Sequence, residues 1–178
     1  NSQILTKINN FIKNRLIEFL GIILILISII ILVSIATYSP SDPNFIYESE
    51  NTEINNVMGF YGSVMSDFLL QSLGLISILL FLNFFYWGVK LTAEKIIRNF
   101  IPKIFFTLTY ILFGTTVLNI LYNDSFWLID NGNGGFVGNA IKENIYYFSP
   151  LIQNEYVIYV LILLTTIFFI LSLGIKAS

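Results

Sequence analysis

The chain of 178 residues contains no cysteine and no histidine. Without cysteine it can form neither a disulfide nor a thiolate nucleophile, and without histidine it lacks the commonest metal ligand and general base. It has no GxxxxGK[ST] phosphate loop, and its GNGGFVG segment follows no predicted strand. We therefore predict that this chain is not an enzyme and that it has no catalytic, cofactor-binding or metal-binding residues.

Charged residues are also scarce. They make up 11% of the chain, whereas soluble domains average about 25%. Hydrophobic residues account for 56%, and the net charge of -2 offers no basic surface for nucleic acid. The composition is typical of a membrane protein.

Four apolar runs are long enough to cross a bilayer, because about 20 helical residues span a hydrocarbon core of roughly 30 Å. They predict membrane spans at about residues 19–38, 68–89, 104–122 and 156–175. Residues 1–18 form a basic lead, which we predict to be cytoplasmic, and residues 19–178 form the transmembrane domain. The predicted fold class is an all-α membrane protein of two inside-outside-inside hairpins with short interfacial helices in the outer loops.

The basic segment, residues 90–103, lies between the second and third predicted spans. It contains four of the nine cations, and Lys and Arg resist translocation across the bilayer. If it is cytoplasmic, eight of the nine cations lie inside, only Lys142 lies outside, and both termini are cytoplasmic. We also expect the segment to form a short amphipathic helix in which Glu94 and Arg98 can pair. The predicted topology determinants are Lys90, Lys95, Arg98 and Lys103.

The first outer loop opens with YSPSDPNF at residues 38–45 and contains acidic residues but no Lys or Arg. Its prolines end the first span, and Tyr38 marks the interface. We interpret Asp67, further along, as a helix-capping or interfacial residue. The polar residues Gln71, Asn83 and Asn119 are expected to form interhelical hydrogen bonds rather than a substrate site.

Two similar motifs precede the second and fourth spans. GFYGSVMSD begins at Gly59 and GFVGNAIKE begins at Gly135, and their matching glycines at Gly62 and Gly138 share one offset. This predicts an internal repeat of two hairpins whose outer helices occupy equivalent positions. The alternative is a chance coincidence of glycines at membrane entry.

Together these residues resemble the N-terminal membrane domain of the FtsK/SpoIIIE DNA translocases. The resemblance rests on YSPSDPNF, on the N-x-x-G-x-x-G-x-x-x-S-D stretch that begins at Asn56, and on GGFVG at residues 134–138. It implies no catalytic residues here. It marks turn and packing residues at Tyr38, Pro40, Asp42, Pro43, Gly59, Gly62, Asp67, Gly135 and Gly138.

The resemblance also implies a fragment of a longer chain whose motor domain is absent. Such a domain anchors the translocase in the bacterial cytoplasmic membrane at the division septum, forms a homo-oligomer (a hexamer in the family), and contacts lipids and other division proteins. DNA would be contacted only by the absent motor.

Two other functions remain open. A small channel or transporter subunit is suggested by the duplicated hairpin and by Asn83 and Asn119, although the spans lack the charged residues that usually mark ion-coupled transport. A division-site membrane scaffold unrelated to DNA would differ mainly in its partners.

Overall fold

The computed structural model describes residues 2–45, 53–96, 98–125, 127–128, 130–148 and 154–175. Every regular element in these ranges is a helix, and no strand occurs among them. The elements are α1 (Ser2–Ala36), α2 (Gly59–Leu73), a 3-10 helix (Gly74–Ser77), α3 (Ile78–Glu94), α4 (Phe100–Leu121), α5 (Gly135–Phe148) and α6 (Glu155–Leu173).

Four helical stretches are long and apolar enough to cross a membrane: Gln3–Ala36, Gly59–Glu94, Phe100–Leu121 and Glu155–Leu173. The predicted fold class of an all-α protein with four membrane-spanning helices is confirmed. The basic lead and the first predicted span form one continuous helix, α1.

The spans pack in pairs, with α1 against α3 and α4 against α6. Gly21 and Gly88 allow the first pair to approach closely: a Cβ atom on Gly88 would lie 2.6 Å from the carbonyl oxygen of Gly21. Small residues at such positions let helix backbones meet in lipid, where packing rather than the hydrophobic effect drives association.

A short 3-10 helix interrupts the second span. Gly74 has φ +65°, a left-handed conformation that glycine adopts without steric cost. The break leaves the amide of Leu75 free to donate to the carbonyl of Asn133, at 3.0 Å. The connection between α4 and α5 therefore docks where α2 and α3 meet.

The expectation of an amphipathic helix in the basic segment is wrong. α3 ends at Glu94 and α4 begins at Phe100, and both Lys95 (φ 53°) and Asn99 (φ 49°) adopt the left-handed conformation, which stops a helix. Glu94 therefore lies near Lys90, at 3.9 Å, instead of pairing with Arg98.

The two outer helices, α2 and α5, begin alike. Gly59 and Gly135 start them with φ +65° and +66°, and each donates its amide to the carbonyl three residues earlier, Asn56 or Gly132. Each outer helix packs on the first span of its own half, and the two also contact each other. This is the equivalent placement that the repeat predicts, and the repeat itself stays a prediction.

Candidate functional site

The described parts of the long connections at residues 37–58 and 122–134 form one end of the bundle, which we call the loop end. Asp42 is 2% exposed there. Its carboxylate accepts hydrogen bonds from the backbone amides of Asn55 (2.9 Å) and Asn56 (2.8 Å) and from the side-chain amide of Asn55 (2.9 Å). Pro40 lies in the turn closed by the bond from the Asp42 amide to Ser39. The buried Asp42 carboxylate thus stabilises the loop by accepting its hydrogen bonds, and it is not a surface acid.

Asn56 joins this loop to two helices. Its side-chain amide donates to the carbonyl of Ser34 in α1 (2.9 Å) and to the hydroxyl of Ser66 in α2 (3.3 Å), and its oxygen accepts from the amide of Met58 (3.0 Å). A Cβ atom on Gly62 would lie 2.4 Å from that oxygen. Glycine is therefore required at this position for Asn56 to bridge α1 and α2.

A further hydrogen bond at the loop end joins Tyr38 to Asp67. Burial raises the pKa of the Tyr38 hydroxyl to about 12, so at neutral pH the hydroxyl keeps its proton and donates to Asp67 Oδ1 at 3.2 Å. Asn44 donates to Asp67 Oδ2 at 2.9 Å. Of the two interpretations of Asp67, helix capping is wrong, because α2 begins at Gly59 and Asp67 lies in its interior.

Gln71 links Tyr38 to the second connection, residues 122–134. Its amide donates to the Tyr38 hydroxyl at 3.4 Å, and its oxygen accepts from Asn131 at 3.0 Å. The Tyr38 ring also lies 6.0 Å from that of Trp127. Gln71 thus connects the two loops, whereas the sequence suggested a bond between spans.

Asparagines also organise the second connection. Asn133 is 4% exposed and donates to the carbonyls of Tyr122 (3.1 Å) and Asp124 (3.0 Å). The Asn119 side chain donates to that of Asn139, which joins α4 to α5. Close packing of these helices requires Gly138, where a Cβ atom would lie 2.5 Å from the carbonyl of Thr115.

A separate polar cluster joins three spans. The Asn83 amide donates to the Ser172 hydroxyl (2.7 Å) and its oxygen accepts from the Tyr110 hydroxyl (2.7 Å), while Trp87 Nε1 donates to the Ser172 carbonyl (2.8 Å). All four residues are buried. The prediction that Asn83 forms interhelical hydrogen bonds is confirmed, and the cluster satisfies its own polar groups instead of opening to a substrate.

The other end of the bundle, which we call the basic end, contains the basic segment, residue 18 of α1 and the end of α6. Lys90 donates to the carbonyl of Gly174 at 2.9 Å, and Lys95 lies 3.6 Å from Glu18. Lys103 lies beside Gly174. Within the described ranges, no group of three or more His, Cys, Asp or Glu residues could hold a metal ion.

Comparison with known proteins identifies this arrangement. A family model described as the 4TM region of DNA translocase FtsK/SpoIIIE matches residues 13–177. The chain belongs to this family.

Proteins named DNA translocase FtsK are the similar curated relatives. That of Rickettsia bellii is 28% identical over 161 residues, which are 90% of this chain and 21% of the relative. That of Rickettsia typhi is 30% identical over 142 residues, 79% of this chain and 18% of the relative. The chain thus spans about a fifth of the length of these relatives. No solved structure matches it significantly.

The residues that suggested the FtsK/SpoIIIE family gather at the loop end. The Asp42 carboxylate accepts from the amide of Asn56, just before α2, and the Pro43 carbonyl accepts from Ser63 in α2 at 2.7 Å. The roles of Asn44, Asn131 and Asn133 were not predicted, because asparagines in a loop indicate only turns. For Asn131 and Asn133, their position in and beside GNGGFVG was the one available signal.

Proposed function

We propose that this FtsK/SpoIIIE 4TM region anchors and assembles a septal DNA translocase that acts in chromosome segregation during cell division. The match to the family over residues 13–177 carries the proposal. The longer relatives are named DNA translocases, so the DNA motor would lie in sequence beyond the part that this chain covers. The chain itself contributes the membrane anchor.

The orientation that we propose places the basic end in the cytoplasm. Support comes from Lys90, which contacts Gly174 at the end of α6, and from Lys95, which contacts Glu18 in α1. The basic segment, the part of α1 just before the predicted first span and the end of α6 therefore share one side, and the positive-inside rule places the cations of that side in the cytoplasm. A motor that follows α6 would then lie on the side where chromosomal DNA is found.

Orientation can be tested directly because the chain has no native cysteine. Asp124→Cys places an exposed thiol at the loop end, and Asn99→Cys places one at the basic end. In intact cells, an impermeant maleimide should label only Asp124→Cys, and Asn99→Cys should react after permeabilisation. The reverse pattern would overturn the proposed orientation.

The septal role needs a different measurement. A fluorescently tagged copy of this chain, expressed in dividing bacterial cells, should collect at division sites. An even distribution around the membrane would contradict the septal role without affecting the family assignment. No channel function is proposed, because the Asn83 cluster is closed by mutual hydrogen bonds.

A further inference from the structure

A cavity of about 690 Å³ opens at the basic end between α3, α4 and α6. Its size lies within the usual range for ligand pockets, roughly 300–1,000 Å³. Trp87, Phe106 and Leu171 form part of an apolar wall, and three cations line the same space: Lys90, Arg98 and Lys103. An apolar wall beside a group of cations suits an anionic amphiphile.

The cations of the cavity are only partly neutralised. Among the described residues, Glu94 is the one acid that lines it, and it lies 3.9 Å from Lys90, which also donates to Gly174. Arg98 and Lys103 form no ion pair within the described part of the chain. Their positive charge is therefore available to a ligand.

The position of the cavity also favours a lipid. It lies where α3 ends, α4 begins and α6 ends, which is the level at which the candidate spans leave the hydrocarbon core. Asn99 does not cap α4 with its side chain, so the positive end of this helix also faces the region without an acidic or polar cap. Basic pockets between spans are known to accept lipid headgroups.

We propose that this cavity binds the phosphate headgroup of an anionic phospholipid. Arg98 and Lys103 contact the phosphate, and an acyl chain lies along the wall formed by Phe106 and Leu171. The inference requires only that the chain spans a membrane and does not depend on a role at the septum.

The test is native mass spectrometry of the purified chain, released from nanodiscs that contain equal amounts of phosphatidylglycerol and phosphatidylcholine. The wild-type chain should retain phosphatidylglycerol preferentially. Because each cation near an anionic headgroup contributes about 1 kcal/mol, the double variant Arg98→Gln/Lys103→Gln should bind phosphatidylglycerol about thirtyfold more weakly and retain correspondingly less of it. Equal retention of both lipids by the wild type would overturn the proposal.

A matched control removes the same charge elsewhere. Lys7 and Lys13 are exposed on α1 and do not line the cavity, so Lys7→Gln/Lys13→Gln should retain phosphatidylglycerol like the wild type. An equal loss in both double variants would show diffuse attraction to the whole surface and would overturn the cavity site.

Two further arms keep the test decisive. Leu171→Trp preserves every cation but obstructs the apolar wall, so it should also lose phosphatidylglycerol. This variant replaces the double variant as the test if circular dichroism shows that Arg98→Gln/Lys103→Gln does not fold. Retention by Leu171→Trp would contradict the acyl position. Inorganic phosphate at millimolar concentration should not displace the lipid; complete displacement would show that the site recognises a soluble anion instead.

Discussion

At the loop end, the buried carboxylate of Asp42 is fully surrounded by donors, whereas at the basic end Arg98 and Lys103 have no anionic partner among the described residues. The loop end is built from amides, carbonyls and glycines at short distances. The basic end has few directional contacts and an open cavity. Both ends are polar. The loop end satisfies its buried carboxylate internally, although two buried atoms next to it, Ser34 Oγ and Asn119 Oδ1, have no hydrogen-bond partner among the described residues.

The difference indicates where stability and where recognition reside. Buried hydrogen bonds that are already formed cost free energy when one partner is removed, because the other partner stays desolvated. Exposed charges contribute little to stability, typically less than about 1 kcal/mol per pair. Substitutions at the loop end should therefore affect folding, and those at the basic end should affect ligand and lipid contacts.

The largest effect is expected at Gly74. An alanine Cβ there would lie 2.0 Å from the carbonyl oxygen of Asn133, so Gly74→Ala must displace the docked loop and break its bond to Leu75. We expect a loss of about 3–5 kcal/mol, within the range of severe single substitutions. Thermal unfolding of the purified chain in detergent, followed by circular dichroism, measures it.

Gly59 provides the matched control, since it has the same φ of +65° but no atom within 4 Å of the place that an alanine Cβ would take. Gly59→Ala should cost only the left-handed backbone strain, about 1–2 kcal/mol. Equal losses at Gly59 and Gly74 would show that the docking of the second connection against Gly74 contributes nothing to stability.

The next effect concerns Asp42. Asp42→Ala removes the acceptor of three hydrogen bonds and leaves the backbone amides of Asn55 and Asn56 without it, which should cost about 2–4 kcal/mol. Asp124→Ala, which removes an exposed carboxylate from the same end, should stay within about 0.5 kcal/mol of the wild type. If the two variants lose comparable stability, the buried hydrogen bonds of Asp42 contribute no more than an exposed carboxylate does.

A smaller effect is expected from the polar cluster between spans. Asn83→Leu removes the bonds to Ser172 and Tyr110, and such bonds contribute about 0.6 kcal/mol each in membrane proteins. We expect a loss of about 1–2 kcal/mol in the same unfolding measurement. Thr166→Val removes a hydroxyl that only bonds within α6 and serves as the control; a larger loss there would contradict the assigned importance of the cluster.

The helices could be predicted from the sequence because hydrophobic length alone decides whether a segment can span a bilayer. The equivalent placement of the two outer helices was also predicted, since Gly59 and Gly135 open two matching motifs. The interruption at Gly74 was not predictable. It depends on the carbonyl of Asn133, which is distant in sequence.

In the basic segment, by contrast, the sequence predicted a helix that the structure does not contain. Its spacing of apolar residues suggested an amphipathic helix, but periodicity over so few residues cannot outweigh two residues held in the left-handed conformation by the tight connection between α3 and α4. Its charges predicted a shared side, and the structure does bring Lys90, Arg98 and Lys103 around one cavity. The charge pattern of the sequence therefore predicted which residues lie together, whereas their backbone conformation depends on tertiary packing.

The smallest effect on stability is expected at Lys95. Its ammonium lies 3.6 Å from Glu18 with both side chains partly exposed, and Glu18 also has Arg15 at 2.6 Å. Lys95→Gln should therefore cost no more than about 0.5 kcal/mol, and the difference should vanish in about 1 M salt because exposed charges are screened. A loss as large as that of Asp42→Ala, unchanged by salt, would mean that the basic end is also held together by its polar contacts. Polar contacts would then stabilise both ends alike, and the unpaired charges of Arg98 and Lys103 would no longer support a ligand site at the basic end.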